Sequence, residues 1–316
     1  MSKCLAFSLV AGALALAVAP VRAADVLAAG DIAGCDSSGD TQTAALLDGL
    51  PGTILALGDL VYPDATPSEF EDCYDPTWGR HKARTRPAPG NHEYNTGDAA
   101  GYYDYFGPAV GDPSEGWYSF ELGTWHVVAL NSNCDEIGGC ERDSDQGQWL
   151  AADLAAHPST CTLAFWHHPR FSSGEHGNTL EMRELFALLD ERDADLVLVG
   201  HDHDYERFAP QDADGNASAS GVRQFVVGTG GRSLRPFEAT VANSEVRHRS
   251  SYGVLRLQLL TNSYTWQFVP ASGTFSDSGS GSCVGVPGGG PPPGCGIGPE
   301  LVLLLPLLRL ARRGRR

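Results

Sequence analysis

Thr53-Ile54-Leu55-Ala56-Leu57-Gly58-Asp59-Leu60-Val61-Tyr62 opens with an apolar run and ends on a glycine, a carboxylate and a phenol. The first five residues read as a strand buried on both faces, because nothing polar interrupts them after Thr53. Gly58 lets the backbone turn sharply, so Asp59 can point away from the strand end. The same pattern recurs along the chain. Gly30-Asp31 follows the run 26–29, His167-His168-Pro169 follows 162–166, and Gly200-His201-Asp202-His203 follows 195–199. Gly90-Asn91-His92-Glu93 makes the fifth cluster.

Further strands are expected at 126–130 and 224–227, with 252–260 and 263–269 as a late antiparallel pair. Two helices are readable. Asn178 and Glu181 form a capping-box pattern ahead of Met182, Leu185, Phe186 and Leu189, which stand at helical spacing. Ser144 precedes a second helix carrying Trp149, Leu150 and Leu154. Strands alternating with helices predict an α/β layer fold, and the late pair predicts mixed rather than purely parallel sheets. Loops after strand C-termini are where such folds gather ligands.

The five clusters supply carboxylate, phenol, amide oxygen and imidazole, with no cysteine among them. That donor set suits iron, zinc or manganese better than a structural zinc site, which favours thiolates. One carboxylate set between two ions bridges them at the ~3.5–4 Å spacing of two-metal sites. Singly, each cluster is a weak signal. Gly-Asp is commonplace, and a lone strand histidine is usually a satisfied core residue. Five such clusters in this order carry the metal reading.

The chain has 316 residues and a formal net charge of −17. A basic start at Lys3, the apolar run 9–19 and Val21-Arg22-Ala23 read as a secretory signal peptide over 1–23, the competing reading being a membrane anchor. The seven cysteines after Cys4 then meet an oxidising compartment. A catalytic domain is expected over 24–271. Gly, Ser and Pro dominate 272–294, which reads as a linker. The tail 295–316 joins Cys295, a short apolar stretch with Pro306, and the end Arg312-Arg313-Gly314-Arg315-Arg316. It reads as a sorting or anchoring tail, cleaved by a sorting protease or retained; the stretch is short for a membrane helix. Removing the leader and the tail from Leu301 onward deletes only cations among the charged residues, so the core is more acidic still. Such a surface argues against nucleic acid and against anionic membranes, and cell-surface contact is expected only through the tail. Phosphate binding on it requires a strong local positive site, which metal ions provide.

The order of the clusters closely resembles the metallophosphoesterase superfamily (calcineurin-like), and within it the purple acid phosphatases of single-domain type. Tyr62 is the most specific element, because most of the superfamily lacks a tyrosine there. The resemblance implies a four-layer αββα sandwich with two mixed β-sheets. It implies two metal ions, Fe(III) with a divalent Zn, Fe or Mn. Asp31, Tyr62 and His203 would hold the first, Asn91, His167 and His201 the second, and Asp59 both. His92 would touch the phosphate, and His176 would assist the leaving group as general acid. The implied function is that of a secreted phosphatase, in the periplasm or at the cell surface, hydrolysing small phosphate monoesters by attack of metal-activated hydroxide. Two departures stand out. The first motif reads Asp31-Ile32-Ala33-Gly34, its glycine one place late, and His168 follows His167 where a small residue is common.

Two other functions share these residues: a phosphodiesterase or nucleotidase on the same scaffold, and a non-catalytic surface-displayed binding protein. Cys134 and Cys140 bracket a short loop around Gly138-Gly139 and form one candidate disulfide; Cys35 and Cys73 form a second, and Cys161 has no assigned partner. Gly228-Thr229-Gly230-Gly231-Arg232 lacks the Lys-Ser/Thr of a P-loop and reads as a turn near the site rim.

Overall fold

Trp125, Val127 and Ala129 pack into one buried cluster while Val128 and Leu130 pack into another. Cys161, Leu163 and Phe165 alternate in the same way with Ala164 and Trp166. This period of two is that of strands buried on both faces. It sets up a central core between two sheets and a second core under helices.

The computed structural model describes residues 23–285. In chain order the strands are β1 (Ala24–Ala29), β2 (Ala33–Gly34), β3 (Thr53–Leu57), β4 (Val61–Tyr62), β5 (Thr85–Ala88), β6 (Tyr118–Leu122), β7 (Trp125–Ala129) and β8 (Cys161–Phe165). They continue as β9 (Leu196–Val199), β10 (Tyr205–Phe208), β11 (Arg223–Val227), β12 (Ser244–His248), β13 (Gly253–Leu259), β14 (Ser263–Pro270) and β15 (Ser278–Ser282). One sheet runs β15-β14-β13-β1-β3-β5 and the other β12-β10-β11-β9-β8-β7-β6, with β2 and β4 as a small separate pair. β1, β3 and β5 are parallel, as are β7, β8, β9 and β11; antiparallel strands flank both groups. The α-helices are α1 (Gly39–Gly49), α2 (Pro67–Glu69), α3 (Ala100–Phe106), α4 (Asp145–Ala156) and α5 (Arg183–Asp190). Leu150 and Leu154 of α4 and Leu185, Phe186 and Leu189 of α5 close the outer core of the second sheet. Ala44 and Leu47 of α1 pack onto the first sheet's side of the main core. The architecture is the expected α/β sandwich of two mixed sheets.

Three expectations are corrected or completed. Asn178 does not cap a helix. Its Oδ1 accepts from the Ser172 amide at 2.8 Å, and a 3₁₀ turn (Leu180–Met182) after Thr179 leads into α5. Ser144 does cap α4, accepting from the Gly147 amide at 3.1 Å. The stretch 272–294 is not all linker, because β15 pairs with β14. Glycine in β15 matches its partner: a Cβ on Gly279 or Gly281 would run into the rings of Trp266 and Tyr264. The leader over 1–22 and everything after 285, the expected tail included, lie outside the described residues.

Cys35–Cys73 and Cys134–Cys140 are bonded, and Cys161 pairs with Cys283 across 122 residues. A loop of that length gives the last bond the largest entropic effect, about 4–5 kcal/mol. Among the described residues no helix is long and apolar enough to cross a membrane.

Candidate metal centre

Asp31 follows β1, Asp59 follows β3, Asn91 follows β5, His167 follows β8, and His201 and His203 follow β9. All five strands belong to the parallel parts of the two sheets, so their C-terminal ends meet along one rim. Asp31, Asp59 and His201 hold left-handed backbone, with φ of 59°, 50° and 69°. Non-glycine residues adopt that region only where their surroundings hold them there. Here the Asp31 amide donates to the Gly58 carbonyl at 3.1 Å, and the His201 amide donates to Asp31 Oδ2 at 2.9 Å. A Cβ on Gly58 would lie 2.6 Å from His167 Nδ1, so only glycine lets that imidazole sit against the β3 turn.

The polar ends converge. Tyr62 Oη donates to the carboxylates around it, 2.9 Å from Asp31 Oδ1 and 3.0 Å from Asp59 Oδ2, and lies 3.3 Å from His203 Nε2. His203 Nε2 is 3.2 Å from Asp31 Oδ1. His167 Nε2 is 3.4 Å from Asp59 Oδ2 and 3.2 Å from His201 Nδ1. Asp59 therefore stands between a group of Asp31, Tyr62 and His203 and a group of His167 and His201. The other imidazole nitrogens fix the tautomers. His167 Nδ1 donates to the Leu57 carbonyl at 2.8 Å and His203 Nδ1 to the Ser233 carbonyl at 2.6 Å. Both Nε2 atoms then face the centre, the orientation that metal-binding histidines take.

Asn91 tests whether the set fits metal. Its Oδ1 is buried and has no hydrogen-bond partner among the described residues. A buried carbonyl oxygen left unmade costs about 1–3 kcal/mol, so it calls for a Lewis-acidic partner. Ligand atoms of Asp31, Asp59 and His167 lie within 4.8 Å of one another. The residues fit a metal-binding site.

The electrostatics agree. Burial alone would raise the Asp59 pKa, but the charge and hydrogen bond of His167 together with those of His92 outweigh it and hold the carboxyl well below the usual range. His167 is pulled down by burial and pushed up by Asp59 more strongly, to about 9. Burial, then Asp31 and Asp59, raise the Tyr62 phenol well above its ordinary value. Burial, then His167, push His168 down to about 3. In the bare chain a proton on His167 and the phenol proton of Tyr62 hold this cluster of anions together. Metal uptake displaces such protons.

His92 lies at the mouth, its Nε2 3.8 Å from Asp59 Oδ2 and its ring 4.3 Å from that of Tyr62. His176 stands across from it, its ring 4.2 Å from that of His201. His168 bonds Ser132 Oγ through Nδ1 at 2.8 Å, and its ring stays beside the centre, 4.4 Å from that of His201. A cleft of about 260 Å³ opens beside Asn91 and His168, with Asp135, Glu136 and Glu181 in its wall.

Three residues around the site have no assigned role in the sequence reading. Glu93 is fully buried and accepts from the amides of Asp59, Leu60 and Gly90 at 2.9, 2.8 and 2.6 Å. It shapes both the Asp59 and Asn91 turns, and its place in Gly90-Asn91-His92-Glu93 was the available signal. Asp202, between the two motif histidines, accepts from Ser172 Oγ and from the amides of His176 and Gly177, which holds the His176 loop. Arg235 donates from Nη1 to His176 Nε2 at 2.7 Å. No motif marks it, because it comes from a loop after Gly231.

Comparison with known proteins agrees with this geometry. Residues 25–205 match the model of the calcineurin-like phosphoesterases. Purple acid phosphatase 21 of Arabidopsis thaliana is 31% identical over 219 residues, covering 60% of this chain and 49% of that one. An uncharacterised protein of Mycobacterium tuberculosis is 28% identical over 217 residues, covering 60% of this chain and 40% of its own length. The chain thus spans less than half of these curated relatives. The purple acid phosphatase from yellow lupin seeds superposes with a TM-score of 0.66 at 18% identity, covering 82% of this chain and 54% of that one. That likeness is one of fold, and the family match runs from β1 to the start of β10 and takes in the candidate ligands up to His203; the chain belongs to the calcineurin-like phosphoesterases and is similar within them to the purple acid phosphatases.

Proposed function

We propose that this chain is an extracytoplasmic phosphatase with two metal ions that hydrolyses small phosphate monoesters. Its single strongest support is Asp59, whose carboxylate lies between the Tyr62 hydroxyl and the His167 imidazole. Asp31, Tyr62 and His203 would hold Fe(III), and Asn91, His167 and His201 a divalent Zn, Fe or Mn, with Asp59 shared. Bound there, the ions acidify water and neutralise phosphate oxygens.

The remaining steps belong to the chain's own groups. His92 meets a phosphate oxygen at the mouth and offsets charge as the ester bond breaks. The His176 side faces the departing oxygen. Because a guanidinium has no lone pair to offer, the contact with Arg235 makes His176 Nε2 an acceptor and puts its proton on Nδ1. Nδ1 is then the donor to the leaving alkoxide. The cleft beside Asn91 receives the organic group, and its carboxylates disfavour a second anionic group there. Export is supported by the three disulfides, which persist in oxidising compartments.

The test is metal analysis of the purified protein together with kcat/KM on 4-nitrophenyl phosphate and on its bis ester. Two metals per chain and a preference for the monoester support the proposal. A preference for the bis ester favours the phosphodiesterase reading. No turnover after reloading with Fe, Zn and Mn sinks the enzyme reading altogether.

A further inference from the structure

A second cluster of metal-ligating side chains lies at the opposite rim of the molecule. His126 is the second residue of β7, whereas the candidate catalytic residues follow the C-terminal ends of β8 and β9, which run parallel to it. Its Nε2 lies 2.7 Å from Asp153 Oδ2, and Asp153 Oδ1 lies 3.2 Å from His157 Nδ1. Asp153 and His157 stand four apart at the end of α4, so they share one helix face. The His126 and His157 rings stack at 4.7 Å with 16° between their planes, both directed at the same carboxylate. One ligand atom from each of the three residues lies within 4.8 Å of the others.

The surroundings are built as for a metal. His126 is 1% exposed, and its Nδ1 bonds Glu121 Oε1 at 2.8 Å, an arrangement that orients an imidazole with Nε2 toward an ion. Ser119 Oγ donates to Asp153 Oδ1 at 2.8 Å and leaves lone pairs of that carboxylate free. The mouth is open. His157 is about half exposed and lines a cavity with Glu121, Thr124 and Ser159. An ion pair between an imidazolium and Asp153 would satisfy His126 alone, but would not bring a second imidazole onto the same carboxylate.

We propose that His126, Asp153 and His157 bind one zinc ion outside the catalytic centre. Two imidazoles and one carboxylate, with the fourth position open to water, are a zinc donor set. Binding displaces the proton on His126 Nε2. It also moves the His157 proton from Nδ1, where it bonds the Asp153 carbonyl at 3.0 Å, to Nε2. The ion joins the C-terminal end of α4 to the hairpin β6–β7.

The test is zinc content and thermal unfolding of the full chain at micromolar free zinc, for wild type, His157→Ala, Glu121→Gln and Asp59→Ala. His157 is exposed, so its removal leaves the core intact. His157→Ala is expected to hold one zinc fewer than wild type, to lose a zinc-dependent rise in Tm, and to keep its turnover. Glu121→Gln is expected to weaken that zinc by about 10–100-fold. Asp59→Ala is expected to lose the catalytic ions and keep this one. Equal zinc content in wild type and His157→Ala, or an Asp59→Ala protein holding no zinc, overturns the proposal.

Discussion

Arg235 Nη1 and His176 Nε2 meet at 2.7 Å, which makes the histidine an acceptor toward the cation. The arginine therefore sets which nitrogen of His176 holds the proton. Arg235→Ala is expected to lower kcat by about a hundredfold on alkyl phosphates, the range of one acid–base group, and far less on nitrophenyl phosphate, whose leaving group needs no proton. His176→Ala should show the same split. Equal losses on both substrates would remove the general-acid role.

Tyr62 gives a spectroscopic prediction. Its hydroxyl touches both Asp31 and Asp59, so an Fe(III) held by these residues has a phenolate as ligand. The loaded wild type is expected to absorb in the visible, and Tyr62→Phe to lose that band with its other metal ligands intact. A colourless, fully active wild type would reject iron at this position.

Glu93→Gln tests the scaffold. The carboxylate accepts three amides, and a glutamine must turn an NH₂ toward donors. The expected cost is about 1–3 kcal/mol, with loss of metal on dialysis because the Asp59 turn is no longer held. Unchanged Tm and metal content would deny Glu93 this positioning role.

Asp195 makes stability depend on pH. Burial pushes its carboxyl up to about 7, while the amides of Thr162 and Val284 bond it at 2.9 and 2.7 Å. The folded state therefore binds this proton more tightly than the unfolded one. The stabilisation from this group is fully present below the unfolded carboxylate range and is lost as pH rises through about 7, by at most about 1.4 kcal/mol per pH unit. Asp195→Asn cannot titrate, and its urea midpoints should fall less between pH 4 and 7. Parallel profiles for variant and wild type would contradict this.

Much of the fold was legible because parallel strands buried on both faces leave unbroken apolar runs, as at Thr53–Leu57 and Leu196–Val199. The strands that escaped are the ones without such runs. β5 carries Pro87, β12 reads Ser-Glu-Val-Arg-His at an edge, and β15 is serine and glycine throughout. Composition alone cannot separate β15 from a linker, since its pairing is supplied by the aromatic face of β14. The candidate ligands were legible because the segments that carry them follow strands, Tyr62 coming three residues after Asp59. Arg235 was not, because only the folded chain brings its loop to His176. Asn178 misled because the same side chain serves a helix start and a loop clamp equally well.

The bond from Cys283 to Cys161 also decides how the domain bears load. Cys283 directly follows β15, and Cys161 opens β8, the strand that leads to His167. Tension applied to the chain beyond Gly285 passes through sulfur into the middle of the second sheet. It bypasses β15, β14 and β13, whose hairpins would otherwise unzip one after another. A domain pulled from its C-terminal end is thus gripped at the strand that carries its candidate catalytic histidine, and the peeling route is closed until that bond is reduced.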